Sequence, residues 1–392
     1  MSGAPDFAVI GAGIVGCSLA AFLAEAGATV VVYERAEIAA GASGRNSGVV
    51  QHPLDPALTA LYEESVEHYR TLGRGFELPA DPVGLLLVSD DPERLGPPAP
   101  FPELRPTLLE GAELRAAEPA LADGLVAWRL ETGRPVPPAA AAHAFAARAR
   151  EAGAEFRIGA PAVVAMDGQR ATGVTVGQTH HPAGAVAVAA GPWTPAALPK
   201  PNLKGTVPFM FAEGAPEDGE PRQAEGEPKR QVKGTVPFIG ALWGVVVEFE
   251  LPEAPRHVLE EAGIEALTSE SGGPVALFSA VTARGISAIG STFTPDEPDP
   301  EEAAPAILAN ATRFLPALQH AKPRGLRACA RPRPADGRPY LGKVAENVSI
   351  AAGHGAWGIT LGPASARLVA DQLLGRPAEI PPAFDAARTG CR

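Results

Sequence analysis

The stretch FAVIGAGIVGCSLAAFLAEAGATVVVYE, residues 7–34, decides the fold class. Phe7–Ile10 is a short apolar run that stops at glycine, the pattern of a strand buried on both faces of a parallel sheet. Ile14–Ala26 is rich in Ala and Leu, and Gly27 supplies a C-terminal stop, so this segment is a helix. Thr29–Tyr33 is β-branched and apolar and closes on Glu34. Strand, helix and strand in one short run form a βαβ unit. Its first turn, Gly11-Ala12-Gly13-Ile14-Val15-Gly16, has glycines where a dinucleotide needs them. Gly11 permits the tight turn, Gly13 lets backbone approach a pyrophosphate, and Gly16 lets helix and strand touch. The helix N-terminus offers N–H groups and a positive dipole end to the phosphates. Glu34 suits the ribose hydroxyls of an adenosine and repels a 2′-phosphate, which disfavours NADP. The motif leaves NAD and FAD both open.

The 392 residues allow two or three domains, and 46% hydrophobic with 20% charged residues describes a soluble globular chain. Lys+Arg 33 against Asp+Glu 45 gives a net charge of −12, which opposes binding to nucleic acid or to anionic membranes. Three cysteines, Cys17, Cys329 and Cys391, stand far apart and give neither a disulfide framework nor zinc spacing, and no metal is expected. The most apolar N-terminal stretch is broken by glycines, carries Glu25 and lacks a basic leader, so neither a membrane span nor a signal peptide is expected. These features together predict a cytoplasmic protein.

Further along, Asp55-Pro56 caps a helical face that includes Leu58, Leu61, Tyr62, Ser65, Val66, Tyr69 and Leu72. Val83–Ser89 reads as a strand. Pro137-Pro138 opens an Ala-rich helix to Ala152, and strands follow near 162–166, 173–176 and 185–190. More strands are expected at 242–251, 275–281 and 286–291, then an interrupted helix over Glu301–Leu315. Lys-Gly-Thr-Val-Pro-Phe occurs at 204–209 and again at 233–238. The acidic, Pro/Gly-rich segment between the copies, 210–232, is expected to be an exposed, flexible insertion.

Ala42-Ser43-Gly44-Arg45-Asn46-Ser47-Gly48 is small and polar and directly follows the second strand. An NAD dehydrogenase would continue here into ordinary βα units. In this chain, strands for a second domain begin before the first is complete, which favours FAD. With this block, Gly11–Gly16 and Glu34 go the apolar run Ala185–Trp193, Arg331-Pro332 with Asp336–Gly342, and Ala351–Ile359. Together they resemble the FAD-dependent amine oxidoreductases that include glycine oxidase, D-amino-acid oxidase and monomeric sarcosine oxidase.

The resemblance implies an α/β fold: a discontinuous Rossmann-like FAD-binding domain (1–80, 133–195 and 323–392) with an α+β substrate domain (81–132 and 196–322) on a mostly antiparallel sheet. The implied cofactor contacts begin with Gly11, Gly13, Ile14, Val15, Gly16, Glu34 and Arg35. Ser43, Gly44, Arg45, Asn46, Ser47 and Gly48 follow, then Ala162, Val163, Ala190, Gly191 and Trp193. The last group is Gly353, His354, Gly355, Trp357, Gly358, Ile359 and Thr360. Gly362-Pro363 is expected to open the last helix, with its N-terminus towards the flavin. Arg331 is the implied partner of a substrate carboxylate, because a guanidinium fork matches a carboxylate with two parallel hydrogen bonds. Arg333 is a candidate second anchor.

Cys329 stands seven residues before Asp336, in register with the flavin-bonded cysteine of sarcosine-oxidase-like members. Noncovalent FAD is the favoured expectation and a Cys329 thioether the alternative. The implied reaction oxidises the C–N bond of a small amino acid (glycine, a D-amino acid or a sarcosine-like amine) by hydride transfer to flavin N5. Dioxygen or another acceptor reoxidises the cofactor. A non-catalytic, FAD-binding or regulatory subunit is the alternative from another class. The residues set no oligomeric state.

Overall fold

The computed structural model describes residues 3–73, 75–199, 239–263 and 275–388. Both copies of the repeat, the acidic segment 210–232 and Cys391 lie outside the described residues. A six-stranded sheet runs Tyr340–Ala345, Val348–Ala352, Ala185–Val188, Phe7–Ile10, Val30–Glu34, Glu155–Ile158. All neighbours in it are parallel except the antiparallel pair 340–345 and 348–352. Phe7–Ile10 sits between Val30–Glu34 and Ala185–Val188. From it the chain leaves to one side through the first helix and returns much later on the other. Such a switch in strand order opens a crevice at the carboxyl ends of the strands. Gly11, Glu34 and Ala189–Ala190 lie there.

Alternation with period two explains the layers. Val9, Val30, Val32, Ala187 and Ala351 face the helices, while Ala8, Ile10, Val31, Tyr33, Val186 and Ile350 face a three-stranded antiparallel sheet spanning 162–182. The first helix, Ile14–Glu25, is buried from Ile14 to Ala24 because helices Ala140–Glu151 and Gly358–Leu373 flank it. A helix apolar all round is stable only when enclosed in this way.

The second large sheet has eight strands: Gly325–Pro334, Ile239–Phe249, Ile286–Phe293, Val275–Ala283, Val258–Glu261, Leu85–Ser89, Val126–Leu130, Thr107–Glu110. Only the pair 258–261 and 85–89 is parallel. Helix Pro300–Phe314 covers one face, with Phe278 and Phe314 stacked at 4.6 Å between ring centroids. Burying such a ring contributes roughly 1.5–3 kcal/mol.

Three local expectations change. The strand Gly325–Pro334 pairs in the eight-stranded sheet, so the expected C-terminal part of the FAD-binding domain joins the six-stranded sheet only from Tyr340. Helix 300–314 is continuous through Pro305, whose exposed side leaves the freed carbonyl to water. The last helix starts at Gly358, not at Gly362-Pro363, and runs through Pro363. Pro363 has no N–H to give to the Ile359 carbonyl, but the Tyr69 hydroxyl donates to that carbonyl instead. The Ala364 N–H then donates to Ser65 Oγ at 3.1 Å. Helix Thr59–Arg70 thus replaces the bonds that the proline removes.

Gly16 is the tightest point of the dinucleotide half. A Cβ there would stand 1.9 Å from the Gly11 carbonyl oxygen. Gly16→Ala is expected to destabilise the protein by about 1–3 kcal/mol, the usual cost of overpacking. Chemical denaturation tests this. A parent-like midpoint would contradict the contact.

Candidate active site

One cavity of about 1000 Å³ runs from the glycine turn to the eight-stranded sheet. At one end, the first helix begins behind Gly13 with no side-chain cap, leaving its N-terminus to a ligand. The Ile14 N–H donates to Ser43 Oγ at 2.9 Å, and a Cβ on Gly13 would meet the same oxygen at 3.0 Å. Glu34 accepts from the Ala12 N–H at 2.7 Å and the Ala36 N–H at 2.9 Å, one at each carboxylate oxygen. Each oxygen keeps a second lone pair for a ribose hydroxyl. Arg35 lies over the Trp193 ring, 3.6 Å from its centroid, and Trp193 in turn closes on Gly41.

The loop 42–48 is fixed from two directions. Asn46 Nδ2 donates to the carbonyls of Ala42 and Ser43, and its Oδ1 accepts from the Gly48 N–H. From the eight-stranded sheet, Arg327 donates to the carbonyls of Arg45 and Asn46 while it pairs with Glu248. Gly48 has φ +85°, and a Cβ there would lie 2.3 Å from the Val136 carbonyl oxygen.

Arg331 sits in the wall at the other end. Its guanidinium donates to Ser291 Oγ at 2.6 Å and the Thr292 carbonyl at 3.2 Å, and lies 4.6 Å from the centre of the Phe293 ring. Among the described residues no carboxylate pairs with it. Burial draws its pKa down, and the nearby Cys329 opposes that shift. The side chain reaches Ser291 by crossing the intervening strand at Gly244, where a Cβ would stand 2.2 Å from a guanidinium nitrogen.

Cys329, two residues earlier on the same strand, also lines the cavity. Burial raises its thiol pKa, outweighing the opposing pull of Arg331, Arg327 and Arg45. His354 is buried in the wall, its pKa pushed down to about 4 by burial, so it is uncharged at neutral pH. Its Nε2 has no partner among the described residues.

Of the residues expected to meet the cofactor, Gly16, Gly44 and Gly353 stand behind the wall, and the others line the cavity. Gly44 acts as Gly16 does, since a Cβ there would lie 2.4 Å from the Ala39 carbonyl oxygen, whereas Gly353 is held at φ +84°, a conformation that favours glycine. Arg331 lines the cavity, whereas Arg333 is exposed and away from it, so the structure does not make Arg333 a second anchor. Sequence reasoning missed Gly244, Ser291 and Phe293, which hold Arg331, and Gln51, Trp243 and Glu260 on the same wall. Glycine inside the apolar run 239–249 was the available signal, since glycine in a strand often marks a close approach.

The family profile described as FAD dependent oxidoreductase matches residues 6–372. Glycine oxidase from Pseudomonas aeruginosa is 27% identical over 96% of this chain and 96% of its own length. Among solved structures, glycine oxidase from Geobacillus kaustophilus aligns with a TM-score of 0.74 and 21% identity, covering 99% of each chain. Iminodiacetate oxidase from a Chelativorans species aligns with a TM-score of 0.73 and 22% identity, covering 97% of this chain and 98% of its own.

Gly244→Ala should leave flavin bound and displace the Arg331 guanidinium. Acetate binding, titrated through the flavin absorbance, is expected to weaken about tenfold, or about 1.4 kcal/mol. Unchanged acetate affinity would show that Gly244 does not set the position of Arg331.

Proposed function

This chain belongs to the family of FAD dependent oxidoreductases, and on that footing we propose that it oxidises the C–N bond of a small amino acid or N-substituted glycine to the imino acid. The observation that carries the proposal is Arg331: a guanidinium held in the cavity wall without a carboxylate among the described residues. Its two bonds to Ser291 and Thr292 and the Phe293 ring fix the fork. The remaining N–H groups can then receive a substrate carboxylate in bidentate fashion. Glycine and iminodiacetate, named in the relatives, both offer a carboxylate attached to the carbon that bears the amine.

The residues fit FAD. Glu34 would hold the ribose, the turn at Gly11–Val15 with Ser43 the pyrophosphate, and Gly48, His354–Gly355 and Gly358–Thr360 the flavin end. Bound there, FAD supplies the acceptor for the two electrons that leave the α-carbon. Arg331 fixes the substrate by its carboxylate, so the α-carbon and its hydrogen present one face to the flavin end of the cavity. This positioning accounts for much of the expected acceleration. The amine reacts in neutral form, and the imino acid is then hydrolysed by water to an oxo acid and ammonia or an amine. Dioxygen or another acceptor removes the electrons. His354 is uncharged and takes no proton in this scheme. We place FAD as noncovalent, because the buried Cys329 thiol stays protonated, and the protein in the cytoplasm, as its sparse cysteines suggest.

Anaerobic addition of glycine, sarcosine, iminodiacetate or D-amino acids should bleach the flavin with at least one of them. A flavin inert to every amine would instead match a non-catalytic subunit. For a substrate that bleaches it, Arg331→Ala should lower kcat/KM by an amount equivalent to about 2–5 kcal/mol of lost transition-state stabilisation, with flavin retained. Arg331→Lys should restore only part, since a point charge lacks the fork. Near-normal kinetics in both variants would remove Arg331 from the site. Acid precipitation should leave yellow colour in the supernatant; flavin in the pellet that is lost in Cys329→Ser would establish a thioether.

A further inference from the structure

The wall at the substrate end carries one hydroxyl that the fold itself does not use. Ser279 stands on strand Val275–Ala283 between Phe278 and Ala280, which pack in the core beside helix Pro300–Phe314. Alternation turns Ser279 to the opposite face, and there it lines the cavity. The other hydroxyls of this strand and of Ile286–Phe293 are engaged. Thr282 bonds to Ser287 at 2.9 Å, Ser291 to Arg331 at 2.6 Å, and Thr292 to the Val245 N–H at 3.0 Å. Ser279 Oγ has no hydrogen-bond partner among the described residues. Nor is it sealed in. The Gln51 carbonyl oxygen and His354 Nε2 also lack partners but are buried, whereas Ser279 is half-buried with its oxygen open to the cavity. A hydroxyl both donates and accepts, so either kind of ligand group can bond to it.

Strand pairing sets the distance of this hydroxyl from the anchor. Ser279 pairs with Gly290, and Gly290 pairs with Val246 on the strand that also carries Gly244. A Cβ on Gly290 would stand 3.3 Å from Ser279 Oγ, and one on Gly244 2.2 Å from an Arg331 nitrogen. The two glycines therefore mark the places of the two polar groups on the sheet. Gly244 is two residues from Val246, so Gly244 and Gly290 are diagonal neighbours, about 7–8 Å apart. An amino acid held by Arg331 has its nitrogen two bonds from the carboxylate carbon. That short span, with a hydrogen bond of about 2.9 Å at each end, matches the diagonal. Val246, which lines the cavity beside them, is apolar and offers the nitrogen no competing partner.

We propose that Ser279 Oγ accepts an N–H from the substrate nitrogen, so that Ser279 and Arg331 hold the amino acid at two points and Ser279 selects carboxylates that carry an N–H beside the acid group. The proposal rests on Arg331 as the carboxylate anchor, and its test separates the two. The flavin-loaded protein is titrated with pyrrole-2-carboxylate and with 2-furoate, and flavin absorbance reports binding. The two rings share one shape, and next to the carbon bearing the carboxylate one has an N–H and the other an oxygen. Pyrrole-2-carboxylate is expected to bind about tenfold more tightly, the scale of one net hydrogen bond. Ser279→Ala should bring that ratio close to one while 2-furoate affinity and flavin content stay unchanged. For an amine that bleaches the flavin, the same variant should lower kcat/KM about tenfold. Equal affinities in the parent protein would overturn the assignment. So would a preference that survives in Ser279→Ala, since another group would then recognise the N–H, or a Ser279→Ala variant that loses flavin, since the hydroxyl would then serve the cofactor. In those cases, 2-furoate binding that disappears in Arg331→Ala keeps the anchor standing. If no amine reduces the flavin while the ratio behaves as stated, the oxidase reading fails and the Ser279 site stands. If neither ring perturbs the flavin, the Arg331 anchor fails and the Ser279 assignment falls with it.

Discussion

Everything in this fold hangs on backbone touching backbone where the first strand turns into the first helix. Gly16 comes against the Gly11 carbonyl, and Gly11 against the carbonyl of Ala189 at the end of the strand beyond. No side chain fits in either gap. Because the gap is closed, the helix N-terminus points straight along the crevice at the carboxyl ends of the strands. The same closeness buries that helix against helices Ala140–Glu151 and Gly358–Leu373. The position of the phosphate-binding end and the integrity of the helical layer are therefore one constraint. Overpacking at this point would disturb both.

The cavity divides its chemistry by polarity of hydrogen bonding. Arg331 can only donate and the Glu260 carboxylate can only accept, and both line the cavity from different strands of the eight-stranded sheet. A rigid sheet turns that separation into a ruler, since strand spacing varies little. His354 and Cys329, both held by burial in their neutral forms, add no charge of their own to the cavity wall.

Local pattern carried much of this into the sequence. The βαβ unit, the alternating strand faces and the cavity-lining residues around Gly13, Glu34, Ser43 and Arg331 were readable because each depends on neighbours in the chain. What escaped depends on partners remote in sequence. The last helix begins four residues earlier than its Gly-Pro pair suggested, because Tyr69 and Ser65 satisfy groups that a proline normally orphans. Gly244 stands inside an apolar run, and its role depends on the guanidinium of Arg331, which lies across it from a strand far along the chain. Gln51 gave no signal, since its significance lies in a bond to Glu260, some two hundred residues away.

Arg327 links the two halves of the site. One guanidinium, anchored by Glu248 in the eight-stranded sheet, grips two successive carbonyls of the loop at 42–48. That loop leads into the wall on which Gln51 stands. The sheet that carries Arg331 is thus also the clasp on the loop at 42–48. A change in the sheet that moved Arg327 would therefore be felt at once in the loop, and a change in the loop would be felt at the strand that carries Arg331.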